Sequence, residues 1–390
     1  MQILVSKFGG SSIASAKRFR QVRDILAARS DRQFIILSAP GKRHQSDEKI
    51  TDLLCAAHQR YAAGGDAGGI LDEVRDRFYE IAQSLGLDVD LQRLLGSLEA
   101  DVRHSLDRAA SRGEYLCARL FAAYAGLPFV DATELIHFDE NGRIMPDEIQ
   151  RSVRHMAQWH SSAVIPGFYG ALPNGEIKTF SRGGSDISGA LVAAALRATV
   201  YENWTDVDGL MSIDPAICGD AVCQSAVSYR QMRLLAQAGA RVLHPYCLEP
   251  VCQAGVPTLL KNTFAPDLPG TYISDTVRNQ VPCVCAREDV RILNLAALTR
   301  ETVAIVEGLS PEIYHSSGSD RFVALRAPGP GIPASLVTTF GLPSRFRRDA
   351  EILAQPIASL RTEGCLQYLV QPERCHEVMR RLHHLLMEMH

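Results

Sequence analysis

The first forty residues carry the pattern that most restricts the fold. Ile3 and Val5 begin an apolar strand that ends at Lys7–Phe8, and Gly9-Gly10-Ser11-Ser12 makes a turn. Phe19, Val22, Ile25 and Leu26 then recur at the helical period, and Phe34–Leu37 is a second short apolar strand. Strand, glycine turn, helix and strand form a βαβ unit, whose crossover helix makes the two strands parallel. Ile50, Leu53, Leu54, Ala57 and Tyr61 fall on one helical face, as do Ile70, Val74, Phe78, Ile81 and Leu85. Both segments are most simply helices packed on the sheet, so an α/β fold with a parallel sheet is expected.

A second strand-rich block starts at Ala163-Val164-Ile165, and the glycines and Pro173 within Gly167–Thr179 suggest a hairpin. Ser181–Asp186 leads into a helix marked by Ile187, Ala190, Leu191, Ala194 and Ala195. Val200–Trp204 is a strand running into Thr205–Gly209; a helix with Met232, Leu235 and Ala236 and a strand at Val256–Lys261 follow. Residues 265–287 are loop-rich and form the candidate domain boundary. Beyond it lie short strands, Val290–Leu295, Thr302–Glu307, Arg321–Leu325 and Cys365–Val370, and a terminal helix with Val378, Leu382, Leu385, Leu386 and Met389 on one face. A small α+β domain fits this stretch. A first domain over 1–280 and a second domain over 288–390 agree with a 390-residue chain, at roughly 100–200 residues per domain.

Composition excludes several classes of function. Lys plus Arg number 41 and Asp plus Glu 44, so the net charge of −3 lacks the basic excess of a nucleic-acid binder. No run approaches the ~18 apolar residues of a membrane span. The first ten residues lack the basic and apolar regions of a secretory signal, and a cytoplasmic protein is expected. The ten cysteines are scattered, with no CxxC and no Cys/His set at zinc-site spacing, so reduced thiols in or near the core are expected and no protein-bound metal.

Three glycine-bearing turns stand where α/β sheets hold ligands. Lys7-Phe8-Gly9-Gly10-Ser11-Ser12 sets a cation beside bare amides and a helix N-terminus, a combination suited to phosphate; a tight βα turn with a solvent lysine is the alternative. Arg182-Gly183-Gly184-Ser185-Asp186 opens a helix, where Arg182 could clamp a carboxylate and Asp186 could instead serve as an N-cap. Thr205-Asp206-Val207-Asp208-Gly209, with Asp214-Pro215 beyond it, ends a strand in hydroxyl and carboxylates, or is simply a turn. Gly329–Ala334 matches G-x-G-x-x-A, but two prolines and the lack of a following βαβ unit argue against a dinucleotide site.

Taken in order, these turns resemble those of the aspartokinases, within the amino-acid kinase family. The segments carrying the likeness are VSKFGGSSIA (Val5–Ala14), LSAPGKR (Leu37–Arg43), KITDLL (Lys49–Leu54), SRGEYL (Ser111–Leu116), IPGFYG (Ile165–Gly170), FSRGGSDISG (Phe180–Gly189), NWTDVDG (Asn203–Gly209), GARVLHP (Gly239–Pro245) and KNTFAPDLPGT (Lys261–Thr271). The resemblance implies a three-layer α/β/α catalytic domain and an ACT-like C-terminal domain. It also implies transfer of the γ-phosphoryl group of ATP, with Mg²⁺ carried by the nucleotide, to the β-carboxylate of L-aspartate. Lys7 would neutralise the transferring group, Asp186 would orient Lys7, and Gly9, Gly10 and Ser11 would cradle phosphate. Arg182, Gly183, Ser185, Thr51, Glu114 and Phe168 would form the amino-acid pocket, Glu114 facing the α-ammonium. Thr205, Asp206, Asp214 and Arg241 would serve the nucleotide.

Two departures from the family pattern bear on this. The usual DPR reads Asp214-Pro215-Ala216, and the lysine of GAKVLHP is Arg241. The C-terminal stretch looks short for two complete ACT modules, since the helix expected after Asn294–Gly308 is missing and Ser310–Asp320 is short and polar. Weak or absent feedback control and a homodimer through this domain are therefore expected. Two other readings are a kinase for a different amino acid or carboxylate, and a non-catalytic ligand-sensing paralogue.

Overall fold

A computed structural model of the chain describes residues 2–181, 183–240, 243, 245–278, 280–294, 313–317, 320–325, 332–362 and 364–389. The chain forms two compact units, 1–209 with 243–276, and 210–242 with 277–390. The loop-rich stretch predicted as a boundary contains the crossing point near 276. A single cut there would leave 210–242 with the first unit, whereas this stretch groups with the C-terminal chain.

The first unit begins with the expected βαβ: β1 (Leu4–Phe8), α1 (Ala16–Ala27) and β2 (Arg32–Leu37). Helices follow: α2 (Ile50–Ala62), α3 (Gly68–Leu85), α4 (Leu91–Leu95), α5 (Leu98–His104), α6 (Leu106–Ala125) and α7 (Pro146–Trp159). Then come β3 (Ala163–Pro166), the hairpin β4 (Tyr169–Ala171) and β5 (Ile177–Thr179), α8 (Gly184–Leu196) and β6 (Val200–Thr205). After β7 (Ala226–Val227) and α9 (Tyr229–Gln237) of the second unit, the chain returns with α10 (Glu249–Gln253), β8 (Thr258–Asn262) and β9 (Thr271–Ile273).

Strands β3, β2, β1, β6 and β8 are neighbours in that order and parallel, and β9 joins β8 antiparallel. Ile35 and Leu37 pack with α1, α2, α3 and α6 in one apolar cluster built around Phe19, Leu54, Phe78 and Phe121. Ile36 between them is equally buried, and alternation along a strand turns it to the opposite face. Helix α8 contacts β1, β2 and α7, and so covers that face. The three-layer expectation holds.

Two buried polar groups pin the structure. Glu202 on β6 receives Arg32 at 2.8 Å, Ser6 at 2.8 Å and the Trp204 indole at 3.0 Å. The loop after β2, read from sequence only as polar, is held by Arg77, which donates to the carbonyls of Gly41 (2.6 Å) and Glu48 (2.7 Å). Gly270 has φ +74°, and a side chain there would collide with the Leu260 carbonyl, which explains the glycine of the PDLPG segment.

The second unit carries an antiparallel sheet in the order β11-β12-β10-β13-β15-β14. Its strands are β10 (Cys283–Asn294), β11 (Ile313–Ser317), β12 (Asp320–Leu325), β13 (Ile332–Phe340), β14 (Ala358–Thr362) and β15 (Cys365–Val370). The helices Arg347–Ala354 and Cys375–Met387 pack on it, with Val378, Leu382 and Leu386 in the core. Sequence reading located β12, β15 and the terminal helix. It missed β9, β13 and β14, began β10 seven residues late, and took the β11 segment for a polar connection. The strand expected at Thr302–Glu307 lies outside the described residues. All ten cysteines are free thiols. No helix among the described residues is long and apolar enough to cross a membrane.

Candidate active site

Lys7 lies one residue from the carboxyl end of β1, a central strand, and its side chain is only 8 % exposed. A buried ammonium requires a partner. That partner is Asp186, whose Oδ1 lies 2.6 Å from Lys7 Nζ. Asp186 stands in the first turn of α8 but does not cap it: Gly183 occupies the N-cap at φ +60° and no side chain accepts from the first turn. The N-cap alternative for Asp186 is thereby removed. Its carboxylate instead also accepts from Asn203 Nδ2 at 2.8 Å. Asn203 on β6 pairs in register with Lys7, so two neighbouring strands and one helix start converge on a single carboxylate. Asn203 Oδ1 is buried with no hydrogen-bond partner, an acceptor left open beside the ion pair.

The glycine turn contributes differently from expectation. The Gly9 amide donates to the Trp204 carbonyl at 3.0 Å, so it is not available to an anion. Ser12 and Ile13 donate back to Gly9 and Gly10 in a tight turn, and the amides of Gly10 and Ser11 have no acceptor among the described residues. The turn lies against the SAPGKR loop. Gly41 donates to the Gly10 carbonyl at 2.8 Å, and a Cβ on Gly41 would fall 2.6 Å from Gly10 C. The glycine of that motif is thus a close-packing requirement. Ser12 Oγ meets Thr263 Oγ1 at 2.7 Å, and Thr263 donates to the Thr205 carbonyl at 2.9 Å, tying the ends of β6 and β8 to the turn.

Glu114 lies midway along α6 and is buried. Gly113 beside it lets α6 approach so closely that an added Cβ would come within 2.7 Å of Ala39 and 3.1 Å of Ile50. Burial pushes the Glu114 carboxyl up to about 8, only partly offset by a hydrogen bond from the Ala39 amide, and its Oε2 has no partner. Thr51 stands half-buried in the first turn of α2, next to Ile50. The α2–α6 contact therefore gathers both predicted pocket residues, and Ala39 joins them to the Gly10 turn.

Phe168 follows β3 with φ +77°, a strained conformation for a side chain of this size. Its amide donates to Ser188 Oγ at 3.0 Å and its carbonyl accepts from Phe180 at 3.0 Å. A side chain on Gly184 would strike the Phe168 ring, and one on Gly167 would fall 2.7 Å from Ser185 Cβ. The IPGFYG and FSRGGSD segments are accordingly packed backbone to backbone, with Phe168 held over the α8 N-terminus beside Gly183 and Ser185.

On the nucleotide side, Thr205 Oγ1 donates to Asp206 Oδ1 at 3.2 Å, and Asp206 is exposed at the end of β6. Asp214 belongs to the second unit, where its exposed carboxylate accepts from the Ala216 amide at 2.9 Å, an ordinary Asx turn. Arg182 and Arg241 lie outside the described residues. Sequence reasoning overlooked Asn203 and Thr263, although both fall inside quoted motifs. The available signal was a polar side chain at the carboxyl end of an otherwise apolar strand.

The ammonium of Lys7, the amides of Gly10 and Ser11 and the uncapped start of α8 suit an anion. The orphaned Glu114 oxygen suits a cation. The sequence pattern of the amino acid kinase family matches residues 2–262. Aspartokinase 3 of Bacillus subtilis is 35 % identical over 286 residues, 69 % of this chain and 63 % of that protein. The aspartokinase of Chlamydia pneumoniae is 31 % identical over 70 % of this chain and 63 % of its own length. The chain thus spans less than two thirds of these curated relatives. Among solved structures, the aspartate kinase of Clostridium acetobutylicum superposes with a TM-score of 0.87 at 29 % identity, covering 100 % of both chains. Escherichia coli aspartokinase III, crystallised with aspartate and ADP, shares the fold at a TM-score of 0.80 and 21 % identity, over 99 % of this chain and 100 % of that one. With the family pattern covering residues 2–262, a span that holds Lys7, Glu114 and Asp186, the chain belongs to the amino acid kinase family.

Proposed function

We propose that the protein is an aspartate kinase, transferring the γ-phosphoryl group of ATP to the β-carboxylate of L-aspartate to give 4-phospho-L-aspartate and ADP. The observation that carries this reading is the ion pair between buried Lys7 and Asp186, beside amides with no acceptor among the described residues, with an orphaned Oε2 on Glu114. Two anions must meet for this reaction, and the barrier is chiefly electrostatic. A carboxylate oxygen is already a nucleophile, so no covalent enzyme intermediate is required: it attacks the γ-phosphorus and the bond to the ADP oxygen breaks. Lys7 offsets the charge gathering on the transferring group, held in place by Asp186 and Asn203. The amides of Gly10 and Ser11 and the start of α8 receive phosphate oxygens. Glu114 receives the α-ammonium, Thr51 and Phe168 line the amino-acid pocket, and Arg182 clamps a carboxylate, as its place in the family motif implies. Mg²⁺ would come with the nucleotide, while Asp186 Oδ1 is engaged by Lys7 and Asn203.

The domain assignment follows the same reading, with 1–280 catalytic and 288–390 an ACT-like domain for regulation or pairing with a second copy. Among the described residues, strands β11 and β14 each have one neighbour in the sheet, and the other edge of each is offered to such a copy.

Full-length protein with Mg-ATP is expected to release ADP only when L-aspartate is added. The specificity constant for L-aspartate should exceed that for L-glutamate by at least about 10², because a pocket closed around a buried carboxyl discriminates against mismatched polar groups. A preference for another amino acid would reassign the substrate.

A further inference from the structure

Within the second unit, two imidazole nitrogens converge on one thiol. Cys218 Sγ lies 3.8 Å from His383 Nδ1 and 3.9 Å from His384 Nε2, and all three donor atoms fall within 4.8 Å of one another. It is the one convergence of this kind among the described residues. Adjacent residues on a helix point about 100° apart, yet both rings reach the same sulfur. They do so because His383 offers its near nitrogen and His384 its far one.

We propose that Cys218, His383 and His384 bind a divalent zinc-class metal ion. With Zn–S near 2.3 Å and Zn–N near 2.0 Å, a tetrahedral site sets sulfur and nitrogen about 3.6 Å apart. The two sulfur–nitrogen separations need to close by only a few tenths of an ångström. The donor set selects against Mg²⁺ and Ca²⁺, which take oxygen ligands, and in favour of an ion that accepts thiolate and imidazole. The site is therefore chemically distinct from the Mg²⁺ that accompanies a nucleotide.

The surroundings are those of a built site. His383 Nε2 lies 2.9 Å from Ser212 Oγ, which also accepts from the Val222 amide at 2.9 Å. A hydroxyl oxygen can accept twice, so Ser212 can take a second hydrogen bond from His383 Nε2, and in that tautomer the Nδ1 lone pair is turned toward Cys218. This is the outer-shell bond that fixes a metal-binding histidine. Cys218, Ser212 and His383 are buried, and Cys218 packs in the same apolar cluster as Leu382 and Leu386. His384 is exposed, which supplies an entry path and leaves the fourth position to water. Binding exchanges the thiol proton for the metal: the S–H bond breaks, the S–metal bond forms, and one proton passes to solvent. The bond joins the Asp214–Cys218 turn to the terminal helix Cys375–Met387, 165 residues away in sequence.

The test uses the full chain, reduced and stripped of metal with a chelator, and titrated with Co²⁺. One equivalent is expected to give a sulfur-to-cobalt charge-transfer band and the intense visible bands of tetrahedral cobalt, both bleached by one equivalent of Zn²⁺. Cys218→Ser should abolish the charge-transfer band. His384→Ala, at an exposed position that the fold does not need, should weaken binding about 10–100-fold, and it carries the test if the buried serine variant does not fold. Zn²⁺ should raise the thermal midpoint of the wild type and not that of His384→Ala. A wild-type protein with no thiolate band at one equivalent, or a band unchanged in His384→Ala, overturns the proposal. Neither result bears on the kinase reading.

Discussion

Replacing Lys7 with methionine lowers turnover by about 10²–10³, the usual cost of removing one preorganised electrostatic group from a reacting centre. The methionine fills much the same volume, and Asp186 keeps its hydrogen bond from Asn203. The thermal midpoint should therefore move little while kcat collapses. Lys7→Arg should not rescue activity, because a planar guanidinium cannot take the place of a compact ammonium 2.6 Å from Asp186 Oδ1 on a strand flanked at both sides. Asp186→Asn keeps the shape but weakens the hold on Lys7, and a smaller loss in kcat is expected from a positioning residue. Turnover of Lys7→Met within tenfold of the wild type would remove Lys7 from the mechanism.

Glu114→Gln has the second large effect, and it acts in opposite directions on stability and activity. Burial raises the folded-state carboxyl to about 8, against 4.5 for the ordinary group. Below about pH 4.5 the group is neutral whether folded or unfolded, and the substitution costs nothing electrostatically. Between there and pH 8 the unfolded chain releases a proton that the folded one retains, so stability is lost as pH rises. Glutamine escapes that loss, and at pH 7 the variant should be more stable by about 2–4 kcal/mol. Substrate binding shows the other side. An arriving ammonium must displace the Glu114 proton, so the KM for aspartate should fall up to about tenfold per pH unit as pH rises toward 8. In Glu114→Gln the KM should be roughly 30-fold higher or more and flat over the same range. Calorimetric unfolding at pH 4 and 7, with KM measured from pH 6 to 8.5, checks both halves. A variant less stable than the wild type at pH 7 with an unchanged KM contradicts this account of Glu114.

The parallel core of the first unit was legible because its strands are short apolar runs separated by glycine turns and periodic helices. Lys7, Asp186 and Glu114 were legible as members of motifs, and their roles were legible only through the family resemblance. Nothing in the residue order shows that Asp186 would leave the α8 cap open and turn to Lys7, or that the Gly9 amide would be taken by Trp204. Those outcomes depend on β6 lying beside β1, a pairing that spans almost two hundred residues.

The C-terminal sheet was harder to read. Strand β13 is central, yet it begins Ile332-Pro333-Ala334-Ser335 after a glycine–proline run, and buried Ser335, Thr338 and Thr339 break its apolar alternation. Pro333 is tolerated beside a register shift between Arg287 and Val290 on β10, where the ladder is already interrupted. In the first unit, strand β9 has three residues and follows Pro269-Gly270, below the length at which period-two patterning can be seen. The convergence of Cys218 with His383 and His384 escapes spacing rules altogether, since those rules look for ligands a few residues apart.

In the proposed reaction Lys7 and its neighbours bring a phosphoryl donor to a carboxylate acceptor, and the most direct measurement is to trap the product. Incubated with Mg-ATP, L-aspartate and hydroxylamine, the enzyme should accumulate aspartyl β-hydroxamate in step with ADP, one for one, as the acyl phosphate is intercepted. Lys7→Met should yield neither. ADP formed without hydroxamate, or at the same rate with aspartate omitted, would mean that phosphate goes to water and that the proposed acceptor is wrong.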